Sequence, residues 1–308
     1  MSNPSVTPAP FVLPRIGLGS WVFGGGHDWG PLDTDAAQKA VLAALETSSF
    51  VDTAPVYGDG ASEQFLGRVL SGRRSRVILA SKCGLVKNGS WTDHDLRPSS
   101  IRAQLENSLT RLRTDYLDLY QIHYPDPKVP LQEAVGELSR LQEKGKIRAI
   151  GLCNVTAEQM ETALQVAPIF SVQNEYSLLH PQGGKNVLDV CRARGISFIG
   201  YGGLSGGILS GKYHTPPNLR RADARNYFYK CYRGEAFEQA QAVAARVKQV
   251  AARLNSAPAA VALSWALHTP GVSCMLCGAR NETQWRQNVS AAALVLPARE
   301  VVFLEGEK

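Results

Sequence analysis

Four residues whose chemistry could cooperate fall in the first half of the chain, each at or just beyond the end of an apolar run. Asp52 closes the run that begins with Phe50 and Val51. Tyr57 lies on the glycine-bounded loop that follows, ahead of Ser62-Glu63-Gln64-Phe65-Leu66, which reads as a helix start. Lys82 stands in the run from Val77 to Cys83, and His123 stands near the end of the run from Leu117 to Tyr124. A buried lysine beside a tyrosine favours the phenolate and is expected to lower the tyrosine's pKa from its reference of about 10. Asp52 beside Lys82 would keep that lysine charged in a dry site. A histidine can hydrogen-bond to a carbonyl oxygen and orient it. Together these residues make a general acid that protonates a carbonyl oxygen while hydride arrives at carbon. No side chain supplies hydride, so the set implies a nicotinamide cofactor. Taken singly, each has an ordinary reading as a snorkelling lysine, a packing tyrosine or a structural histidine. Their recurrence at consecutive strand ends argues for function.

Such a set works only if successive strands deliver it to one place. Arg15 to Trp21 reads as a strand ending in a Gly-rich turn, and Asp33-Thr34-Asp35 caps a helix to about Thr47. Strand Phe50–Asp52 and helix 62–71 follow, then strand Val77–Cys83 and a helix opened by Pro98 with Ile101, Leu105, Leu109 and Leu112 at helical spacing. Further pairs are Leu117–Tyr124 with helix 131–144 closed by Gly145, and Ile147–Asn154 with a helix opened by the capping box Thr156-Ala-Glu-Gln159. Ile169–Tyr176 pairs with helix 185–194, and Ser197–Gly203 with helices 235–254 and 258–268. Ser273–Cys277 pairs with helix 281–292, where Asn281 and Gln284 are again spaced as a capping box.

Eight strand–helix units with near-continuous apolar strands admit a closed barrel or an open doubly wound sheet. Gly17-x-Gly19 lacks the third glycine of a dinucleotide fingerprint, which favours the barrel. The expected fold is therefore α/β, a (β/α)8 TIM barrel forming a single domain over 1–308. Residues 1–13 are expected to be a flexible arm or lid hairpin, and 214–234 an active-site loop. A strand-end acid followed by a loop tyrosine and a helix is the layout of a site on the C-terminal face of such a barrel.

Composition narrows the partners. The net charge of +6 is mild and its basic residues are scattered, with no basic stripe bearing interleaved aromatics, so nucleic acid is not an expected partner. No apolar run is long enough to span a membrane, and Met1 to Pro10 lacks the apolar core of a signal peptide. Most of the six cysteines lie in apolar runs, which fits reduced thiols in a cytoplasmic protein. Cys274 and Cys277 have pair spacing, but on a strand they face opposite ways, so no metal site is expected. The oligomeric state is left open, with a monomer favoured.

The motifs resemble those of the aldo-keto reductase superfamily over essentially the whole chain. They are Val51-Asp-Thr-Ala-Pro-Val-Tyr-Gly58 with Ser62-Glu63 and Leu66-Gly67, Ala80-Ser-Lys82, Asp118-Leu-Tyr-Gln-Ile-His123, and Gly145-Lys-Ile-Arg-Ala-Ile-Gly151. The run from His123 to Pro127, Leu209-Ser-Gly-Lys212 and Gly278-Ala-Arg280 look most like bacterial general-stress-type members. The resemblance implies reversible, NADPH-dependent reduction of an aldehyde or ketone, with Tyr57 as acid, Lys82 and Asp52 tuning it, and His123 orienting the carbonyl. It implies that Asn154 and Gln173 hold the nicotinamide carboxamide, with Cys153 beside them in place of the common serine. Tyr201 would stack on the nicotinamide, and Gly19, Ser20 and Trp21 would line the same mouth. Gly202, Leu204, Ser205, Gly207 and Lys212 would wrap the pyrophosphate, and Gly278, Ala279, Arg280, Gln284 and Asn288 would meet the adenosine end. Arg280 suits a 2′-phosphate, favouring NADP(H) over NAD. Trp21, Trp91 and Tyr124 are the candidate substrate walls. Two other readings are a sugar or alcohol dehydrogenase running toward oxidation, and a cofactor-sensing binding subunit with little turnover. The chain departs from the family pattern at Thr47-Ser48-Ser49, where a glycine usually stops the helix, and at Gly202-Gly203, Cys277 and Gln287.

Overall fold

The computed structural model describes residues 10–89 and 91–306. Among them, eight parallel strands close into a barrel: β1 (Ile16–Gly19), β2 (Phe50–Asp52), β3 (Ile78–Cys83), β6 (Leu117–Ile122), β7 (Ile147–Cys153), β8 (Ser171–Glu175), β9 (Ser197–Tyr201) and β10 (Val272–Cys277). Between β3 and the next helix an antiparallel hairpin, β4 (Leu85–Asn88) and β5 (Trp91–His94), rises beside the barrel mouth; the sequence reads there only as a loop. Closure places β1 between β10 and β2, so both ends of the sequence of strands meet.

The two-residue period of a strand sorts each strand into an inward and an outward set. Phe50, Ala80, Leu119, Ala149, Ile199, Cys274 and Leu276 pack together inside the barrel. Val51, Leu79, Tyr120, Ile122, Leu152, Val172 and Phe198 face outward into the larger core under the helices. The same alternation aims Asp52, Lys82, Gln121 and Gln173 inward, above the apolar filling. Cys274 belongs to the inner set and Cys277 to the outer. All six cysteines are free thiols.

The helix signals hold in most places. Asp33 accepts from the Ala36 amide at 3.0 Å and caps Thr34–Thr47. Thr156 and Gln159 form the full reciprocal box. Gly145 adopts φ +71 after Leu131–Glu143, and the Lys146 amide reaches back to the Leu141 carbonyl at 3.0 Å. Asn281 and Gln284 form half a box. Asn281 accepts from the Gln284 amide, but the Gln284 side chain accepts from the Arg280 amide, one residue earlier than a box requires. Ser49 carries the helix-stopping turn at φ +60 without a glycine.

The chain ends differ from the sequence reading at two places. Residues 1–9 lie outside the described residues. From position 10 onward the arm is no lid: Phe11 meets Phe170 with tilted rings at 4.6 Å and, with Leu13, packs on the inner cluster at the end of the barrel opposite the site. A helix absent from the sequence reading, Ala298–Glu305, docks on Gly234–Arg253 through buried Leu304 and the Arg253–Glu300 ion pair. Among the described residues no helix is long and apolar enough to cross a membrane, and no group of three His, Cys, Asp or Glu could hold a metal ion.

Candidate active site

Asp52, Lys82 and Tyr57 come together above the inner apolar layer. Lys82 is fully buried, and a buried ammonium survives only with partners. Its Nζ donates to Asp52 Oδ1, to the Thr53 carbonyl at 2.9 Å and to the Tyr57 hydroxyl at 3.3 Å. Asp52 Oδ2 accepts from Gln121 Nε2 and Gln173 Nε2, both at 3.0 Å. The nearly buried carboxylate thus has three charge-assisted donors.

Burial alone would lower the Lys82 pKa, but Asp52 and Tyr57 outweigh it and leave the pKa raised. The expected lowering of Tyr57 is corrected. Burial pushes its phenol up, Lys82 pulls it partway back, and it settles at about 12. His123 is driven well below the usual imidazole range by burial and then by Lys82, so it is neutral and can act as a plain hydrogen-bonding group. Its ring meets Tyr57 edge-on at 5.9 Å.

The loop that carries Tyr57 is pinned from beneath. Ser62 Oγ bonds to the Ser20 hydroxyl at 2.8 Å, the Ser20 carbonyl at 3.0 Å and the Thr53 hydroxyl at 3.1 Å, all buried. Gly24 and Gly58 press backbone to backbone. A Cβ on Gly24 would come within 2.7 Å of the Tyr57 carbonyl carbon, and one on Gly58, at φ +62, would overlap the Gly24 carbonyl. Both positions require glycine because another chain segment fills the space. Trp21, held by this contact, stacks on Tyr57 at 6.0 Å and donates its indole N–H to Asp28 at 3.0 Å.

A cavity of about 690 Å³ opens over Tyr57 and runs to the helix Glu282–Val289. Asp52, Tyr57 and His123 line it, while Lys82 reaches Tyr57 from behind the wall. Gly19, Ser20, Trp21, Asn154, Gln173, Tyr201, Gly202, Leu204, Gly207, Lys212, Gly278, Arg280, Gln284, Asn288 and Tyr124 all reach the cavity. Besides Lys82, four expected residues do not. Trp91 is 76% exposed, on the outer side of the hairpin, which instead presents Leu85, Lys87 and Thr92. Cys153 is buried behind the wall against Gln121, and Ala279 is buried beneath its neighbours. Ser205 turns inward to the Ser177 hydroxyl at 3.2 Å.

The far half of the cavity suits an anionic, extended ligand. Gly202, Gly206 and Gly207 have φ +75, +68 and +101, and the Lys212 ammonium lies over Gly207, within 3.2 Å of where a Cβ would be. A left-handed glycine turn beneath a lysine, leading to a helix N-terminus beside Arg280, is a donor set for phosphates. At the near end, Asn154 Nδ2 donates to the His123 carbonyl at 2.9 Å and its Oδ1 accepts from Tyr201 at 2.7 Å, which fixes both side chains.

Three segments meet over this cleft. Tyr227 donates to Asp28 at 2.8 Å, and Arg280 donates to the Trp29 carbonyl. Sequence reasoning passed over Gln121 and Asp28. Gln121 had a signal: it is a polar residue on the inward face of β6, two positions before His123. Asp28, on a one-turn helix in a glycine-rich loop, had none.

Comparison with known proteins gives a consistent result. Residues 15–305 match the family described as the aldo/keto reductase family. Aldo-keto reductase YhdN of Bacillus subtilis is 36% identical over 291 residues, covering 92% of this chain and 86% of its own. The NADH-specific methylglyoxal reductase of Escherichia coli is 32% identical over 314 residues, covering 95% and 94%. The solved structure of the glycerol dehydrogenase AKR11B4 from Gluconobacter oxydans superimposes with a TM-score of 0.87 at 32% identity, covering 97% of this chain and 92% of that one.

Proposed function

The chain belongs to the aldo/keto reductase family, whose members are NAD(P)-dependent oxidoreductases, and on that premise we propose that it reduces an aldehyde or ketone to the alcohol with NADPH, Tyr57 giving the proton. The observation that carries this reading is the contact of the buried Lys82 ammonium with both Asp52 and the Tyr57 hydroxyl at the floor of the cavity. When bound, the nicotinamide supplies hydride; the remaining work falls to the protein.

Tyr57 holds its proton at neutral pH and presents it where a carbonyl oxygen would lie. As negative charge builds on that oxygen, Lys82 stabilises the phenolate left behind, and Asp52 keeps Lys82 charged. Neutral His123 offers a hydrogen bond that aims the carbonyl. Asn154, Gln173 and Tyr201 would hold the nicotinamide end. Gly202, Leu204, Gly207 and Lys212 would hold the phosphates, and Gly278, Arg280, Gln284 and Asn288 the adenosine end. Trp21 and Tyr124 wall the substrate end with Phe228, whose ring meets Trp21 at 5.0 Å.

Run backwards, the same groups oxidise an alcohol, and the likeness to a glycerol dehydrogenase supports a small polyol as a substrate in that direction. The test is NADPH consumption with 4-nitrobenzaldehyde, comparing wild type with Tyr57→Phe. We expect kcat to fall by about 10²-fold or more with NADPH binding retained. Equal turnover in the two proteins would remove Tyr57 from the mechanism.

A further inference from the structure

Gln121 is buried inside the barrel and does not touch the cavity, yet it bonds to two residues that do. The polarity of these bonds can be worked out from Asp52. Paired with Lys82, Asp52 is ionised, and a carboxylate only accepts. Both amides that meet its Oδ2, those of Gln121 and Gln173, must therefore turn their NH2 groups toward it. That places Gln121 Oε1 on the other side, where it accepts from Gln173 Nε2 at 3.3 Å and from the Cys153 thiol at 3.6 Å. Both N–H bonds of Gln173 are then engaged inside the barrel. Its Oε1 is left on the cavity side, with no protein donor among the described residues.

We propose that Gln121 is a positioning residue: with Asp52 it fixes the polarity of the Gln173 amide, so that the cavity is offered an acceptor and selects a ligand group that donates an N–H, namely the primary carboxamide of a nicotinamide ring. The opposite orientation would set Gln173 Oε1 against Asp52 Oδ2 and against Gln121 Oε1. Three acceptors would then meet in an interior that screens their repulsion poorly. Cys153 completes the arrangement by supplying a weak donor to Gln121 from the next strand, and so acts two residues removed from the ligand. The inference rests on the dinucleotide reading of the cavity proposed above.

The test compares the affinity of NADP+ with that of its 3-acetylpyridine analogue, in which a methyl group replaces the carboxamide NH2. Quenching of tryptophan fluorescence gives both constants without turnover. Wild type is expected to bind NADP+ about tenfold or more tightly than the analogue. In Gln121→Met and Gln121→Leu, each checked for folding by circular dichroism, that ratio is expected to shrink at least about threefold, because Gln173 loses one of the two acceptors that orient it. An unchanged ratio in both folded variants overturns the role of Gln121 and leaves the cofactor reading standing. Equal binding of the two dinucleotides by wild type overturns the acceptor polarity of Gln173. Failure of wild type to bind either one overturns the dinucleotide reading, and this inference with it.

Discussion

A phenol held at about 12 beside an ammonium is a proton store at neutral pH, and this fixes the pH behaviour of the two directions differently. On the proposed mechanism reduction needs Tyr57 protonated, and the proton is present at all pH values well below 12. Carbonyl reduction should therefore show no loss attributable to Tyr57 between about pH 6 and pH 9. Alcohol oxidation needs the phenolate, whose population grows about tenfold per pH unit below the pKa. Its kcat/KM should climb through about pH 10; a plateau near neutrality would show that Lys82 outweighs burial after all. Arg280 carries a second prediction. It lines the far half of the cavity, tied to the Trp29 carbonyl, where the proposed dinucleotide would place its adenosine, and Arg280→Ala is expected to raise KM for NADPH about tenfold relative to NADH. Steady-state titration of both coenzymes checks this, and it is informative because the Escherichia coli relative is an NADH-specific reductase. At this scale Asp52, Tyr57, Lys82 and His123 were legible because strand ends are visible as breaks in apolar runs. Trp91 was misread because an exposed hairpin alternates its two sides, and composition does not say which side meets the cavity. The sign of the Tyr57 shift was misread because pairing was weighed without the larger cost of burial.

Elements place these residues by their termini. The strand–helix alternation gave every barrel strand to within a few residues, since parallel strands are apolar on both faces and helices announce themselves by caps such as Asp33, Thr156 and Gly145. The hairpin Leu85–His94 was not legible: Leu85, Val86, Lys87 and Asn88 lack the apolar alternation of a half-buried strand, and neither of its strands is buried. The loop of Tyr57 tests how an element holds a catalytic group. Gly58→Ala would force a Cβ into the Gly24 carbonyl at a left-handed φ. We expect a loss of about 2 kcal/mol or more in urea unfolding. Because the strain falls next to Tyr57, kcat should drop further than stability alone explains, measured well below the melting temperature.

For the molecule as a whole, closure of the barrel was legible from eight successive strand–helix units, but the docking of its last helix is a long-range event that local sequence patterns do not report. Ala298–Glu305 was missed because it is short, its apolar run Val301-Val302-Phe303-Leu304 has no helical period, and its anchor is an ion pair to a helix some 47 positions earlier. Its contribution is large for its length. Leu304 is fully buried, Glu300 pairs with Arg253, and Glu305 accepts from the Trp265 indole at 2.9 Å. Ending the chain after Pro297 is expected to cost about 3 kcal/mol or more, seen as a lowered denaturant midpoint. Coenzyme preference should be unchanged in the protein that remains folded, since this helix does not line the cavity. The backbone contact between Gly24 and Gly58 reaches beyond stability. It joins the segment bearing Trp21 to the segment bearing Tyr57, so the proposed substrate wall and the proposed acid belong to one packed unit. A designer who grafts either loop alone from a relative would move the proposed proton donor while trying to change only the pocket; the two segments have to be transplanted together.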